Sequence, residues 1–148
     1  SVALGMSLAA KLDKKDYRVY CLLGDGEIQE GNIWEAAMAA SHYKCGNLCA
    51  MLDYNGFQID GRTRDIMNLE PLPAKWQAFG WHTIEIDGHN MKEILSAYEE
   101  AKTIKGKPTI IIARTIKGKG VSFMENVLDF HGRAPTKEEA EKALKELE

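Results

Sequence analysis

Two short stretches of this chain carry residue types that could do chemistry. The first is Leu22-Leu23-Gly24-Asp25-Gly26-Glu27. The second is Leu52-Asp53-Tyr54-Asn55-Gly56-Phe57-Gln58-Ile59-Asp60-Gly61. Each ends an apolar run, Val19 to Leu23 in one case and Leu48 to Leu52 in the other, with an amphipathic helical pattern between them. That is one strand–helix–strand unit, and the ends of parallel strands in such a unit form the crevice where ligands sit, so Asp25 and Asn55 should face the same place. A carboxylate, an amide and backbone carbonyls in a glycine-loosened loop are hard oxygen donors. They suit Mg²⁺, which takes few protein ligands and completes its octahedron with phosphate oxygens and water. Gly24 and Gly26 let the main chain approach a phosphate and turn its N–H groups toward it, and the following helix offers its positive end to the anion. The expected chemistry is a diphosphate–Mg²⁺ cradle. A lone Gly-Asp-Gly turn would say little; the matched strand ends give the pair its weight.

Three further positions belong with this cradle. Glu30 lies just before the helix that follows it, where acids are also common for electrostatic reasons alone. Lys117 sits in Arg114-Thr115-Ile116-Lys117-Gly118-Lys119-Gly120, directly after the apolar run Thr109 to Ala113. A strand end followed by glycine-spaced lysines is again a phosphate-facing arrangement, although a solvated basic turn has the same composition. Of the four histidines, His131, in Phe130-His131-Gly132-Arg133-Ala134-Pro135, is the functional candidate. His89 precedes an amphipathic helix and is expected to cap or pack. His42 and His82 have less to recommend them. Glu27 is expected to act through its backbone, because a further carboxylate beside a diphosphate would be repelled.

The elements that must position these groups follow from periodicity. Ser1 to Leu12 reads as a buried helix entered without a cap. Strands are expected at Arg18 to Leu23, Asn47 to Asp53, Trp81 to Ile86 and Thr109 to Ala113. A helix over Asn32 to Lys44 would open with a capping box, Asn32 with Glu35 three residues on, and present Ile33, Ala36, Ala37 and Ala40 to the sheet. Pro73 to Phe79 should be a short helix and Met91 to Ile104 a longer one. Thr136 with Glu139 marks the start of a closing amphipathic helix over 136–148. The fold class is α/β, a parallel sheet of at least four strands with helices on both faces.

Composition bounds the rest. With 148 residues, 45% hydrophobic and 28% charged, the chain can bury one sizeable core as a single domain over 1–148. A net charge of −3 argues against a nucleic-acid partner, and no apolar run approaches the ~20 residues that cross a bilayer. Cys21, Cys45 and Cys49 form no paired framework and complete no zinc set, so they read as reduced thiols of a cytoplasmic protein.

Gly-Asp-Gly followed after 28 residues by Asn is similar to the thiamine diphosphate signature. With Gly-Asp-Gly-Glu-Ile-Gln-Glu-Gly-Asn-Ile-Trp-Glu-Ala, Asp-Tyr-Asn-Gly-Phe-Gln-Ile-Asp-Gly, Gly-Trp-His-Thr-Ile-Glu-Ile-Asp-Gly-His-Asn, Arg-Thr-Ile-Lys-Gly-Lys-Gly and Phe-His-Gly-Arg-Ala-Pro in this order, the chain resembles transketolase from Ser1 to about Pro135. Deoxyxylulose phosphate synthase and the α subunits of 2-oxoacid dehydrogenases share the cofactor part and are the alternative enzymes. A non-catalytic paralogue is the other alternative.

The resemblance implies a thiamine diphosphate-binding fold and thiamine diphosphate with Mg²⁺ as cofactors. The reaction it implies is transfer of a two-carbon ketol unit from a ketose phosphate to an aldose phosphate. It implies Asp25, Asn55 and the Phe57 carbonyl as metal ligands, and Ile59 packed on the cofactor rings. Lys117 would stand near the diphosphate and His131 over the cofactor, with Glu30 in a proton relay across a dimer interface. It also implies an N-terminally incomplete chain and a pyrimidine-binding partner, either a C-terminal domain or a second subunit, in a homodimer or heterotetramer.

Overall fold

The computed structural model describes residues 1–148. The elements run α1 (Val2–Leu12), β1 (Val19–Gly24), a 3₁₀ turn (Glu27–Gln29), α2 (Gly31–His42), β2 (Leu48–Tyr54), β3 (Phe57–Gln58), β4 (Gly61–Arg62) and α3 (Thr63–Ile66). Then come α4 (Leu72–Ala78), β5 (His82–Asp87), α5 (Met91–Thr103), β6 (Thr109–Arg114), a second 3₁₀ turn (Leu128–His131) and α6 (Lys137–Leu147). Four strands form one sheet in the order β1-β2-β6-β5, every neighbouring pair parallel, while β3 and β4 make a small antiparallel ribbon. The register places Gly24, Asp53, Ala113 and Ile86 side by side, so all four strands deliver their carboxyl ends to one edge.

Helices cover both faces because the chain reverses direction across the sheet. The step from β1 to β2 moves one way and puts α2 on one face; the step from β5 back to β6 moves the other way and puts α5 on the opposite face, as right-handed crossovers require. The first face joins Val19, Leu23, Leu48, Ala50, Leu52, Ile110 and Ile112 to α1, α2 and α4. The second joins Cys49, Ile111, Ala113 and Ile86 to Ala97 and Ala101 of α5. The central strand β6 is apolar at nearly every position because both of its faces are buried. Small residues on the helices, Ala37 and Ala40 on α2 and Ala97 and Ala101 on α5, allow close approach to the branched side chains of the sheet. Trp34, Trp76, Trp81 and Phe79 stack along the α2–α4 contact, and Trp81 Nε1 donates to the Ala37 carbonyl at 3.0 Å.

Several elements differ from the sequence reading. Helix α1 is only half buried: Val2 is 80% and Leu12 83% exposed, and it docks mainly through Ser7, whose hydroxyl donates to Asn47 Oδ1 at 2.6 Å, and through Ala10. Helix α2 starts one residue earlier than expected, with Glu30 at its cap position. The Asn32–Glu35 capping box does not form; the Asn32 amide donates instead to Glu30 Oε2 at 3.1 Å. The Glu27–Gln29 turn runs directly into α2 and is held by Trp34 Nε1, which donates to the Ile28 carbonyl at 2.8 Å, so the cap residue is set by that turn. Trp81 is the buried residue before β5 and not part of it. The α6 capping box forms as expected, Thr136 Oγ1 accepting from the Glu139 N–H and the Glu139 carboxylate from the Thr136 N–H. No helix is long and apolar enough to cross a membrane.

The contrast between a central and an edge strand sets a test. Ile112 on β6 is fully buried, whereas Leu22 on the edge strand β1 is 70% exposed. Ile112→Ala should destabilise the fold by about 2–5 kcal/mol through lost transfer energy and a residual cavity, and Leu22→Ala by no more than about 0.5 kcal/mol. Urea unfolding of the two variants measures the difference.

Candidate functional site

The carboxyl edge of the sheet opens into a cavity of about 490 Å³. Gly24, Asp25, Gly26, Glu27 and Glu30 line it from the β1–α2 connection. Asn55, Phe57 and Ile59 line it from the segment after β2, Lys117 from the loop after β6, and His131 from the second 3₁₀ turn. Every residue singled out from the sequence thus sits around one space, although they are spread over more than a hundred positions of chain.

Asp25 is its buried centre, 2% exposed. Its Oδ1 accepts from the Gly26 N–H at 2.8 Å and its Oδ2 from the Gly56 N–H at 2.6 Å, so one side chain ties the two glycine loops together. Burial pushes the Asp25 carboxyl above its ordinary range, and the nearby Asp53 charge pushes the same way; the amides of Gly56 and Gly26 oppose both. Asn55 Oδ1 accepts from the Phe57 N–H at 2.9 Å, closing a tight turn around Gly56, whose φ of +78° suits glycine. At Gly26 a Cβ would meet Gln58 Cβ at 2.9 Å, so the close contact of the two loops also requires glycine.

Glu27 holds the first glycine loop from within. Its side chain turns back, and Oε2 accepts from the Gly24 N–H at 3.0 Å. The Gly24 amide therefore has an acceptor within the loop itself. A 3₁₀ turn, not the first turn of α2, comes directly after the cradle.

The Lys117 loop is fixed from the neighbouring strands. The Thr115 N–H donates to the Tyr54 carbonyl at 3.2 Å and the Ile116 N–H to His89 Nε2 at 2.7 Å. His89 is thus a brace for this loop, while the cap of α5 is Asn90. Gly118, at φ +73°, admits no side chain because a Cβ would lie 2.5 Å from the Met124 carbonyl oxygen. His131 is exposed at the cavity rim, and the segment after it is anchored to α6. The Arg133 guanidinium lies 4.1 Å over the Phe130 ring and forms a fork to Glu139 with both contacts at 2.7 Å. Of the other histidines, His82 pairs with Glu100 at 2.6 Å and His42 packs edge-on against Tyr43. The three cysteines are free.

Sequence reasoning missed Asp53, Gln58 and Asp60, which also line the cavity. Asp53 was legible in principle, since it stands two residues before Asn55 at the end of β2. Together the lining carries five carboxylates, Asp25, Glu27, Glu30, Asp53 and Asp60, against one lysine and one histidine. No group of three or more His, Cys, Asp or Glu side chains is arranged to hold a metal ion. A cation here would take mixed oxygen donors, carboxylate, amide and carbonyl, and fill its remaining positions from a ligand or water. That donor chemistry fits Mg²⁺.

The chain matches the family model described as transketolase, thiamine diphosphate binding domain, over residues 6–147, and it belongs to that family. It is 51% identical over 148 residues to a 6-deoxy-6-sulfo-D-fructose transketolase subunit of Clostridium sp. (strain MSTE9), spanning 100% of this chain and 54% of that one. Identity to an apulose-4-phosphate transketolase subunit of Phocaeicola vulgatus is 46% over 147 residues, spanning 99% and 52%. Among solved structures, the transketolase of Campylobacter jejuni superposes with a TM-score of 0.91 at 33% identity over 97% of this chain and 23% of that one. The chain spans about half the length of the curated relatives it matches first.

The Arg133–Glu139 fork gives a pH test for the segment beside His131. The Arg133 hydrogen bonds, with the Thr136 amide next, lower the Glu139 pKa from 4.5 to about 2. A depressed carboxyl stabilises the fold above its unfolded pKa, and that contribution is lost as pH falls through the folded value. Hydrogen-exchange protection over 133–139 should hold above pH 4.5 and decline toward about pH 2. Glu139→Gln should lower the protection at neutral pH and remove this acid dependence.

Proposed function

We propose that residues 1–148 form the diphosphate- and Mg²⁺-binding domain of a transketolase-type active site, with 136–148 as its closing helix. The enzyme transfers a two-carbon ketol unit from a ketose phosphate to an aldose phosphate. The observation that carries this reading is the single cavity in which the strand-end groups of β1, β2 and β6 meet. Asp25, Asn55 and the Phe57 carbonyl would hold Mg²⁺, with phosphate oxygens and water completing its shell. The lining supplies a physical reason for the dication: five carboxylates would repel a diphosphate, and a bound Mg²⁺ reverses the local field at the buried Asp25. Lys117 adds a point charge toward the same phosphates.

When bound, thiamine diphosphate supplies the nucleophilic carbon and the electron sink for cleaving a carbon–carbon bond beside a carbonyl. The share of this chain is to anchor and orient that group and to place His131 where it can hydrogen-bond diphosphate or sugar oxygens. Glu30, exposed and held by Asn32, is suited to a relay with a partner across an interface.

The partner would bind the pyrimidine ring and complete the site. Two features support it: Ile59 is 74% exposed at the cavity mouth although it is a large apolar side chain, and the relatives named above include subunits of transketolases. The active unit is then a symmetric dimer of paired subunits or domains.

Three measurements test this reading. Asp25→Asn keeps the volume and removes the ligand charge, so Mg²⁺-dependent binding of thiamine diphosphate to the assembled enzyme should weaken at least about tenfold, a loss of about 1.4 kcal/mol or more. Calorimetric titration showing unchanged affinity would remove Asp25 from the site. His131→Ala should lower turnover roughly 10²-fold with little change in thermal stability, whereas residues 1–148 alone should show no ketol transfer. Turnover by the isolated chain would defeat the divided active site.

A further inference from the structure

Asp53 lies next to the last residue of β2, and each of its carboxylate oxygens serves a different loop. Oδ2 accepts from Asn55 Nδ2 at 3.3 Å, and Oδ1 accepts from the Thr115 hydroxyl. A carboxylate only accepts and a backbone N–H only donates. Asn55 is therefore oriented from both sides, its nitrogen toward Asp53 and its oxygen toward the Phe57 N–H, with one lone pair of that oxygen left over. On the other side, Thr115 starts the loop that carries Lys117 two residues later. Its hydroxyl bond to Asp53 joins the Thr115–Tyr54 and Ile116–His89 bonds in fixing where that loop leaves the sheet.

We propose that Asp53 is a positioning residue that couples the two strand ends, holding the Asn55 amide and the Lys117 loop in one arrangement so that the cation-facing and phosphate-facing groups stand ready together. This rests on the reading of Asn55 and Lys117 given above. Asp53 acts through these two partners, one on each of its oxygens, and the Thr115 arm of the test separates this role from that of a direct cation ligand. Residues that orient metal ligands in this way commonly change metal affinity by roughly 10- to 100-fold when replaced.

The test uses the complete assembly and reads thiamine diphosphate binding by calorimetry across a Mg²⁺ series, together with the unfolding temperature of the unliganded protein. Asp53→Asn sets an amide against the Asn55 amide and should raise the half-saturating Mg²⁺ concentration about tenfold. Thr115→Val keeps the shape and removes the hydroxyl. It should weaken cofactor binding at saturating Mg²⁺ by roughly two- to tenfold, the worth of one hydrogen bond, and Thr115→Ser should restore it. If Asp53→Asn does not fold, the Thr115 pair decides the matter.

An unchanged Mg²⁺ dependence in folded Asp53→Asn overturns the proposal. So does a loss equal to that of Asp25→Asn combined with a silent Thr115→Val, the pattern of a direct ligand. A silent Asp25→Asn would instead bring down the reading beneath it.

Discussion

The buried carboxylate of Asp25, clamped between the amides of Gly26 and Gly56, is the interaction on which the site depends. It joins the end of β1 to the turn after β2 and removes most of its own hydration in doing so. Burial raises its proton affinity, and two amide donors recover only part of the lost solvation. A group in that condition has much to gain from a dication placed against it. The fold accepts a poorly solvated acid because the same residue organises the loops that would surround a diphosphate.

Around this clamp the structure uses small residues wherever two main chains must meet. Gly26 lies against Gln58, and Gly118 lies under the Met124 carbonyl. Polar side chains then fix the loops relative to one another: Glu27 to the Gly24 amide, His89 to the Ile116 amide, and Asp53 to both Asn55 and Thr115. The sheet supplies a rigid edge, since β6 is buried on both sides and flanked by β2 and β5. The cavity is thus a property of how strand ends are tied together more than of any single motif. This explains why its lining comes from four separate stretches of chain.

A surplus of carboxylates at the cavity sets its electrostatics. Five acids against Lys117 and His131 would make a poor site for a bare anion and a suitable one for an anion that arrives with a divalent cation. The family match to a thiamine diphosphate binding domain agrees with that chemistry. His131 and Ile59 differ from the clamp in being exposed, and their surroundings are open to a further surface. The Arg133–Glu139 fork and the Phe130 contact hold the segment beside His131 without burying the imidazole itself.

The sequence by itself determined the α/β class, the four strands and the placing of Asp25 and Asn55 around one cavity, because strand ends marked by glycine and oxygen donors are local signals of alternation and composition. It also determined the cap of α6, where Thr136 and Glu139 interact within one turn. What it could not decide depended on partners distant in the chain. The start of α2 follows from Trp34 holding the Ile28 carbonyl, which overrides the local preference of Asn32. The exposure of α1 reflects what packs on it, and an apolar pattern does not reveal that. The bond from the Gly24 amide to the Glu27 carboxylate likewise depends on how the loop folds back on itself. Asp53 gained its place only when β2 and β6 became neighbours, 62 residues apart in the contact with Thr115. Hydrogen bonds of that separation leave no periodic trace in a sequence, because their geometry exists only once the sheet has brought the strand ends together.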